Sequence, residues 1–418
     1  MTNLDNYKVE HLFLLVGENP LPNYIAARTL LENGGTVYLV FTEHTKPQKN
    51  CLFKQIKGQK TLPIAKKVEL VDLGNDESDS YQISDRIKKR IKAINSGRIG
   101  LNYTGGTKAM AVHAYRAVQE AQPDAVFSYL DSRHLSMCID REKGSPISCK
   151  VDLVLSFKEL FDLHNLKWQN NQPPSPEPTL PDAATEFAKF YENTQLANYW
   201  KNWCQEYLRP KTKKDDKWKP EEELQKQSII TLQGLPNPIK KILCEYLDAS
   251  ESADMLKLDV TQKKGFKDLS NVCAWLDGIW LEDYVLQQVK QVSPRYPIND
   301  KGISFRIEDP EKTWREKFEF DVAFMVGYQL FALSCTTSSN KKLCKQKLIE
   351  AHLRARQLGG DEARVALVCF YDTPSYIKAE LRTTIQDRKI EVFGRDDILK
   401  LSEKIGGWIE RNNQEAKK

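Results

Sequence analysis

Residues 101–110 read Leu-Asn-Tyr-Thr-Gly-Gly-Thr-Lys-Ala-Met, and they mark a turn around which the first part of the chain is arranged. The apolar segment before them is typical of a strand, and the periodic apolar residues from Met110 to Val118 predict a helix after them. Exposed backbone N–H groups and the helix dipole favour an anion at such a strand-to-helix turn. Thr104 and Thr107 can cap the helix or donate hydrogen bonds, and Lys108 adds a positive charge.

The same residues have a simpler structural interpretation, which is a Gly-Gly turn with a threonine cap and a surface lysine. The stretch is not a dinucleotide fingerprint, because it lacks the G-x-G-x-x-G spacing. It is not a P-loop either, since no glycine stands at the Walker spacing ahead of Lys108.

Strand and helix signals alternate on both sides of this turn. The alternation predicts an α/β domain in which a parallel sheet carries helices on both faces. Ligands bind beyond the carboxyl ends of the strands in such a sheet, so loops 17–23 and 103–108 are expected to face one ligand. The expected strands are residues 9–16, 36–41, 67–72, 124–130 and 135–140, the last two forming a hairpin, and the expected helices include residues 24–31 and 83–94.

A Rossmann-like domain with a polar loop after its first strand and Asn-Tyr-Thr-Gly-Gly-Thr-Lys-Ala-Met before a helix resembles the CARF (CRISPR-associated Rossmann fold) sensor domain. The resemblance implies that a cyclic oligoadenylate, expected to be the tetra-adenylate, binds across a homodimer, since a symmetric ring suits two copies of one site. By the same resemblance, phosphate and ribose are held by Thr104, Gly105, Gly106, Thr107 and Lys108. The opposite side of the ligand is expected to be lined by Gly17, Glu18 and Asn19.

Composition sets outer limits on the function. The chain has 418 residues, 40% of them hydrophobic, which suits two or three domains, and its net charge of +5 permits nucleic-acid contact without requiring it. No apolar run is long enough for a membrane span and the first residues have no signal-peptide character, so we expect a cytoplasmic protein without a membrane partner. The nine cysteines include no C-x-x-C pair and the six histidines have no i, i+4 spacing, which argues against a disulfide framework and a helical metal site.

Three segments follow from these signals: a CARF-like domain at residues 1–165, a connecting segment at 166–260 and a second domain at 261–418. The connecting segment opens with a proline-rich stretch that predicts a linker. It also carries a charge-dense run at residues 209–219. That run is either a solvated face or a surface that tracks phosphates with Trp218 as a stacking platform.

The second domain has the order helix, hairpin, helix, strand. Residues 274–289 predict a helix, 318–326 and 329–336 a pair of strands, 341–357 a second helix and 364–370 a buried strand. Within this pattern Asp321 has apolar neighbours on both sides. A carboxylate is unfavourable there unless it is paired or bound to a metal ion.

This order of elements resembles the restriction-endonuclease-like core of the PD-(D/E)xK superfamily, and in particular the nuclease half of the CARF-fused ancillary nucleases of type III CRISPR defence. The motifs that carry the resemblance are Gly278 to Glu282, Glu319 to Val322 and Leu333 to Thr336. The resemblance implies that Mg²⁺ or Mn²⁺ is held by Glu282, Asp321 and Cys335 and that DNA or RNA is hydrolysed. It also implies the catalytic residues, which are Glu282, Asp321, Ser334 and Lys345.

Thr336 departs from this family, which usually has a lysine at that position. Either a lysine of the next helix projects into the site, or the site is catalytically weakened. The available lysines are Lys341, Lys342, Lys345 and Lys347. The carboxylates have structural alternatives too: Glu282 as an exposed helix residue, Asp321 as the partner of a structural cation, and Glu319 as a rim carboxylate instead of a further ligand. A basic stripe on the same helix, which holds a nucleic-acid backbone or is solvated surface, comprises Lys345, Lys347, His352, Arg354 and Arg356.

The primary hypothesis is therefore a metal-dependent nuclease that a cyclic oligoadenylate activates. The alternative is a catalytically degenerate signal reader, in which ligand binding regulates nucleic-acid binding or a partner. Thr336 favours that alternative, whereas Asp321 and Glu282 oppose it. A third hypothesis makes the first domain an ordinary nucleotide or sugar-phosphate enzyme, which would bind a mononucleotide and no cyclic oligoadenylate.

Overall fold

The computed structural model describes residues 4–58, 64–308, 318–387 and 389–415. The first sheet has the strand order β3-β2-β1-β4-β5-β6-β7, with the first five strands parallel and the last two antiparallel. The elements of this part are β1 (Val9–Leu15), α1 (Leu21–Leu30), β2 (Leu31–Phe41), α2 (Lys46–Lys57), β3 (Lys67–Asp72), α3 (Ser80–Lys92), β4 (Ile99–Asn102), α4 (Lys108–Ala121), β5 (Val126–Asp131), β6 (Ser136–Ile139), β7 (Ile147–Lys150) and α5 (Phe157–Leu163).

Both faces of this sheet are covered by helices, as the alternating pattern predicts. Helices α3 and α4 close one face, where Ile83, Ile87 and Ile91 pack with Met110 and Ala114. The other face is closed by α1, α2 and α5. The predicted Rossmann-like α/β fold of this part is confirmed.

Three elements of the first domain were not anticipated: α2, β7 and α5. Helix α2 has only two buried apolar residues, Leu52 and Ile56, so its apolar periodicity is weak. A proline stands in its first turn, where a helix tolerates it. Strand β7 is only four residues long with one buried side chain, Cys149, so its pattern is too short to recognise. Helix α1 begins earlier than expected, at Leu21, because Pro22 is tolerated in a first helical turn.

The middle part of the chain packs with the second sheet. Strand β8 pairs with β13, and the aromatic side chains of α6 and α7 join the apolar core beneath α13. In the proline-rich stretch, the N–H groups of Thr179 and Leu180 donate to the Asp283 carboxylate. The elements are β8 (Lys167–Trp168), α6 (Pro181–Glu192), α7 (Thr194–Trp203), α8 (Arg209–Thr212), β9 (Lys213–Lys214), β10 (Lys217–Trp218), α9 (Glu221–Lys226), β11 (Ile229–Thr231), α10 (Asn237–Leu247), β12 (Met255–Lys257) and α11 (Leu258–Gln262).

The second sheet has the order β17-β16-β15-β14-β13-β8 and is mixed. Strands β13, β14 and β15 are antiparallel neighbours, whereas β15, β16 and β17 are parallel. The expected order of helix, hairpin, helix and strand is present, and β13 extends it. The elements are α12 (Leu269–Ala274), α13 (Trp280–Val292), β13 (Ile298–Glu308), β14 (Phe318–Val326), β15 (Gln329–Cys335), α14 (Lys341–Gly359), β16 (Arg364–Val368), α15 (Pro374–Ile385), β17 (Ile390–Phe393) and α16 (Leu401–Glu415).

The two sheets share a continuous apolar core. Phe157 and Phe161 of α5 pack against Phe305 of β13, with ring centroids 4.7 and 6.3 Å apart. The backbone N–H of Leu155 donates to Gly327 O at 3.1 Å. In the parts of the chain that are described, no helix has the length and apolar character that a membrane crossing requires.

Candidate functional site

The glycine turn of the first domain lies against the loop after β1. Strands β1 and β4 are parallel neighbours with Leu14 opposite Asn102, so the loops that follow them emerge side by side. A Cβ atom on Gly17 would lie 3.1 Å from Gly106 N, and one on Gly105 would lie 2.2 Å from Leu15 O. Only residues without a side chain allow this approach, and the expected meeting of the two loops is found.

Both threonines of the turn have structural partners. The backbone N–H of Leu130 donates to Thr104 Oγ1 at 2.7 Å. The N–H of Met110 donates to Thr107 Oγ1 at 3.1 Å, which is the helix cap that the simpler interpretation expected. Lys108 follows as the exposed first residue of α4, beside the free N–H groups of that helix end. The turn therefore offers backbone donors and one lysine to an anion.

Glu18 and Asn19 border a groove of about 1290 Å³ that runs along α14. Glu18 is 83% exposed, with Oε1 3.4 Å from His44 Nε2. The Asn19 Oδ1 atom accepts a hydrogen bond from Leu21 N at 2.9 Å, while its Nδ2 is buried without a hydrogen-bond partner among the described residues. A Cβ atom on Gly360, at the end of α14, would lie 2.6 Å from that Nδ2. Asn19 thus connects the first domain's loop to the second domain.

Tyr103 belongs to an aromatic group beside the turn that sequence reasoning missed. Its hydroxyl donates to the Asp140 carboxylate, at 2.9 Å from Oδ2, and its ring packs 5.6 Å from the rings of Tyr115 and Tyr129. Burial and the hydrogen bond to Asp140 raise the pKa of Tyr103 well above its ordinary value. No local sequence pattern marks Asp140 as a partner of Tyr103. Asp140 follows strand β6, and only the pairing of the strands in the sheet brings it near the end of β4.

Asp321 forms the centre of the second candidate site. It lies in β14, and its side chain is 17% exposed. The hydroxyl of Ser334 donates to Oδ2 at 3.0 Å and the N–H of Cys335 donates to the same oxygen at 2.6 Å. These two donors, both from the end of β15, orient the carboxylate.

Glu282 faces the same strand end. Burial raises the pKa of the Cys335 thiol well above its ordinary value, and the negative charges of Asp321 and Glu282 raise it further. A π-helical turn, Trp275–Ile279, precedes α13, and Gly278 takes a φ of +155° there, which bends the chain shortly before Glu282. Both carboxylates of the predicted set are therefore near enough to Cys335 for their charges to act on its thiol.

The metal set expected from the sequence requires a correction. Cys335 stays a neutral, buried thiol, so its sulfur is a poor ligand for a hard cation and only its backbone carbonyl can serve. Within the described residues, no group of three or more His, Cys, Asp or Glu side chains is arranged to hold a metal ion. The side chain of Glu319 lies outside the described part of the chain.

Lys347, and not Lys345, approaches Asp321. The Nζ atom of Lys347 lies 4.0 Å from Asp321 Oδ2, whereas Lys345 Nζ lies 2.5 Å from Glu380 Oε1. Residues two apart on a helix point about 200° away from each other, so one of the two lysines had to face elsewhere. The geometry therefore favours Lys347 over Lys345 as the lysine of this site, and a catalytic role for either stays a prediction. Thr336, at the position of the usual lysine, accepts a hydrogen bond from Ser338 N at 3.2 Å.

The basic stripe expected on α14 is also smaller than the sequence indicates. His352 is 3% exposed, and its Nδ1 lies 3.7 Å from Asp387 Oδ2. Arg356 is ion-paired with Asp361 and Asp387. Their positive charges are therefore absent or balanced inside the domain.

Comparisons with known proteins agree with the fold of both parts. Residues 12–156 match the family model of the Card1 CARF domain. The structure of protein VC1899 from Vibrio cholerae is similar over 96% of this chain and 98% of that chain, with a TM-score of 0.73 and 15% identity. The structure of Can2 from Sulfobacillus thermosulfidooxidans in complex with cyclic tetra-adenylate is similar over 96% and 99%, with a TM-score of 0.68 and 18% identity.

No curated protein matches the chain in sequence. The two structural neighbours establish the fold over nearly the whole length, and the family model establishes the type of the first domain. The predicted resemblance of the first part of the chain to a CARF domain is supported: residues 12–156 match the Card1 CARF domain family, and the chain as a whole has the fold of VC1899 and Can2.

Proposed function

We propose that this chain is a metal-dependent nuclease of type III CRISPR antiviral defence that a cyclic oligoadenylate activates. The observation that carries the proposal is Asp321, a largely buried carboxylate held by Ser334 and Cys335 that faces Lys347 and shares its surroundings with Glu282.

The residues at this site suit a hydrated Mg²⁺ or Mn²⁺ ion. Such ions are usually held by one or two carboxylates and keep several waters, which agrees with Asp321 and Glu282 as side-chain ligands and the Cys335 carbonyl as a third oxygen. When bound, the ion would polarise the phosphate and lower the pKa of a water molecule. Ser334 and the Cys335 N–H hold Asp321 in place, and the positive charge of Lys347 stabilises charge that develops on the phosphate.

The first domain provides the proposed activator site. The Can2 relative was solved with cyclic tetra-adenylate, and the matching domain here offers Lys108 and backbone N–H groups at the glycine turn. A ring of repeated phosphates suits two such turns related by a two-fold axis, so we propose a homodimer. Thr104 and Thr107 then contribute to activator binding indirectly, because their hydrogen bonds stabilise the turn that holds the ligand.

Helix α14 provides the proposed link between the two sites. Its last turn meets Asn19 at Gly360, and its middle carries Lys347. A ligand that binds one arrangement of the loop after β1 more tightly would shift the position of this helix. Cleavage would then depend on the activator through the separation of Lys347 and Asp321.

A cleavage assay tests the function. Its substrates are labelled single-stranded RNA, single-stranded DNA and supercoiled plasmid, each incubated with Mn²⁺ or Mg²⁺ and with or without cyclic tetra-adenylate. We expect cuts that require both metal and activator and that stop with EDTA. Asp321→Asn keeps the shape of the side chain and should abolish cleavage while activator binding persists. Cleavage by purified Asp321→Asn protein would overturn the site.

The signal reader remains the second candidate, because no three-ligand cluster is found in the described residues and Thr336 replaces the usual lysine. Tight activator binding with no cleavage of any substrate, together with activator-dependent binding of nucleic acid, would favour it.

A further inference from the structure

Lys201 is a partly buried lysine of α7 with an unusual electrostatic environment. Its Nζ atom lies 5.7 Å from the centre of the Tyr191 ring, and no carboxylate among the described residues is within ion-pair distance. Burial lowers the pKa of Lys201, and the positive charge of Arg395 lowers it further. Two cations near each other and away from bulk water are unfavourable unless an anion joins them.

Arg395 is oriented by backbone carbonyls on the other side of Tyr191. Its Nη1 donates to Tyr191 O at 2.9 Å and its Nη2 to Phe370 O at 3.1 Å. Its carboxylate partner, Asp372, is 75% exposed and lies 2.7 Å from Nε. Nη1 also reaches Glu192 O at 3.4 Å, so most of the five N–H groups of this guanidinium have acceptors and one, on Nη2, is left for a further acceptor.

Two further cations share a single carboxylate, Asp277, whose negative charge acts on Tyr191. Arg209 Nε and Lys213 Nζ lie 2.8 and 2.7 Å from the two oxygens of Asp277. Among the ion pairs of the described residues, Arg209 and Lys213 pair with Asp277 and Arg395 pairs with Asp372, whereas Lys201 has no such pair. We refer to these four cations as the Tyr191 patch.

Tyr191 contacts two chain segments that also carry residues of the carboxylate site. Burial raises the pKa of Tyr191, and a hydrogen bond with Thr337, two residues after Cys335, lowers it. The Tyr191 ring packs 4.8 Å from Trp280, two residues before Glu282. The patch and the two carboxylates are thus connected through the same short segments of β15 and α13.

We propose that the Tyr191 patch binds a backbone phosphate of the nucleic-acid strand next to the bond that is cut. This inference rests on the proposed nuclease function and adds a substrate-binding surface from the middle part of the chain. A strand long enough to be cut extends past the carboxylates and presents further phosphates, and cations supply most contacts of that kind. Lys201 provides a compact positive charge, and Arg395 adds a second positive charge and the one N–H group of Nη2 that remains.

Binding without cleavage tests the inference in the full-length Asp321→Asn protein. Fluorescein-labelled single-stranded DNA and RNA are titrated at several salt concentrations, with cyclic tetra-adenylate present. We expect Lys201→Gln to weaken binding about five- to tenfold and to reduce the salt slope by about 0.7, the value for one lost contact to a single strand. In a parallel titration, inorganic phosphate competes with the labelled nucleic acid. Competition at millimolar phosphate in the protein that keeps Lys201, but not in Lys201→Gln, would agree with a phosphate site.

Matched variants separate binding from structure. Lys189→Gln removes a lysine of the neighbouring helix α6 that is paired with Glu186 at 2.6 Å, and it should bind like the parent. Lys201→Arg keeps the charge and should restore binding. Lys201→Met is a second neutral variant that keeps the apolar stem against Tyr191, in case the glutamine variant does not fold.

Equal affinities and salt slopes for Lys201→Gln, Lys201→Met and Lys189→Gln would overturn the inference. Cleavage by the wild-type chain in that case leaves the proposed function standing. Failure of the Asp321→Asn protein to bind either nucleic acid also overturns the inference, and the wild-type cleavage assay then decides the function separately.

Discussion

Lys347 is the residue that most sharply distinguishes the two interpretations of the second site. If the site is catalytic, Lys347→Met removes the charge next to Asp321 and should lower the cleavage rate by about 10²-fold or more. Lys345→Met is the control, because Lys345 is paired with Glu380 and lies on another side of α14. Rates under activator and Mn²⁺ provide the measurement, and a larger loss in Lys345→Met than in Lys347→Met would contradict the geometry.

Lys108 is the corresponding residue of the activator site. Lys108→Ala should weaken cyclic tetra-adenylate binding by about 10- to 150-fold, since a charge-assisted contact to phosphate contributes roughly 1.5–3 kcal/mol. Lys89→Ala serves as the control, because Lys89 is an exposed lysine of α3 paired with Asp85 at 2.7 Å. Isothermal titration measures both. Equal affinities would show that Lys108 makes no contact with the ligand.

At the scale of elements, helix α14 ends in a backbone conformation that requires a glycine. It spans 19 residues, about 28 Å, and stops at Gly360, which adopts a φ of +61° and ψ of −148°. This conformation is accessible essentially to glycine alone. A side chain there would also push Asn19, so the helix end and the loop after β1 cannot change independently.

Gly360→Ala should therefore affect both stability and activation. We expect a loss of about 1–3 kcal/mol in the free energy of unfolding from backbone strain, and a smaller rise in cleavage rate on adding activator because Asn19 is displaced. Gly144→Ala is the control, since Gly144 also has a positive φ of +94° but has open space around it. Urea denaturation and the ratio of activated to basal rate report the two effects. Unchanged activation in Gly360→Ala would argue against α14 as the link.

At the scale of the whole molecule, His164 contributes to the contact between the two domains. Its Nε2 lies 3.0 Å from Leu358 O near the end of α14, and burial lowers its pKa to about 4. The folded protein therefore keeps this ring neutral at pH values where the unfolded chain, with a histidine pKa near 6.5, binds a proton. Stability is fully present above about pH 6.5 and is lost as the pH falls to about 4.

The expected loss over that interval is at most about 3 kcal/mol for this group. His164→Gln keeps a donor for Leu358 O and cannot titrate, so its free energy of unfolding should fall less between pH 6.5 and 4 than that of the wild type. Urea denaturation at both pH values checks the difference. Parallel pH profiles for the two proteins would show that His164 does not carry the effect.

Much of the architecture could be predicted from local patterns. The strands of the first sheet other than β7, and the helix after Gly106, follow from apolar periodicity and turn residues, and those signals act over short stretches of chain. Asp321 stood out because a carboxylate between apolar neighbours is costly wherever the strand lies. Strand β8 and helix α2 were missed, since their short or polar sequences become ordered only through packing.

The amino-acid sequence by itself determined the Rossmann-like domain, its glycine turn and the strand that carries Asp321, because each depends on the side-chain pattern of a continuous segment. Only the tertiary structure decided that Lys347 and not Lys345 approaches Asp321, that Cys335 stays a buried thiol and that Asn19 meets Gly360. It also brought Lys201 and Arg395, almost two hundred residues apart, to one tyrosine. The physical reason is that charges and contacts depend on distance through space, which a sequence pattern does not record.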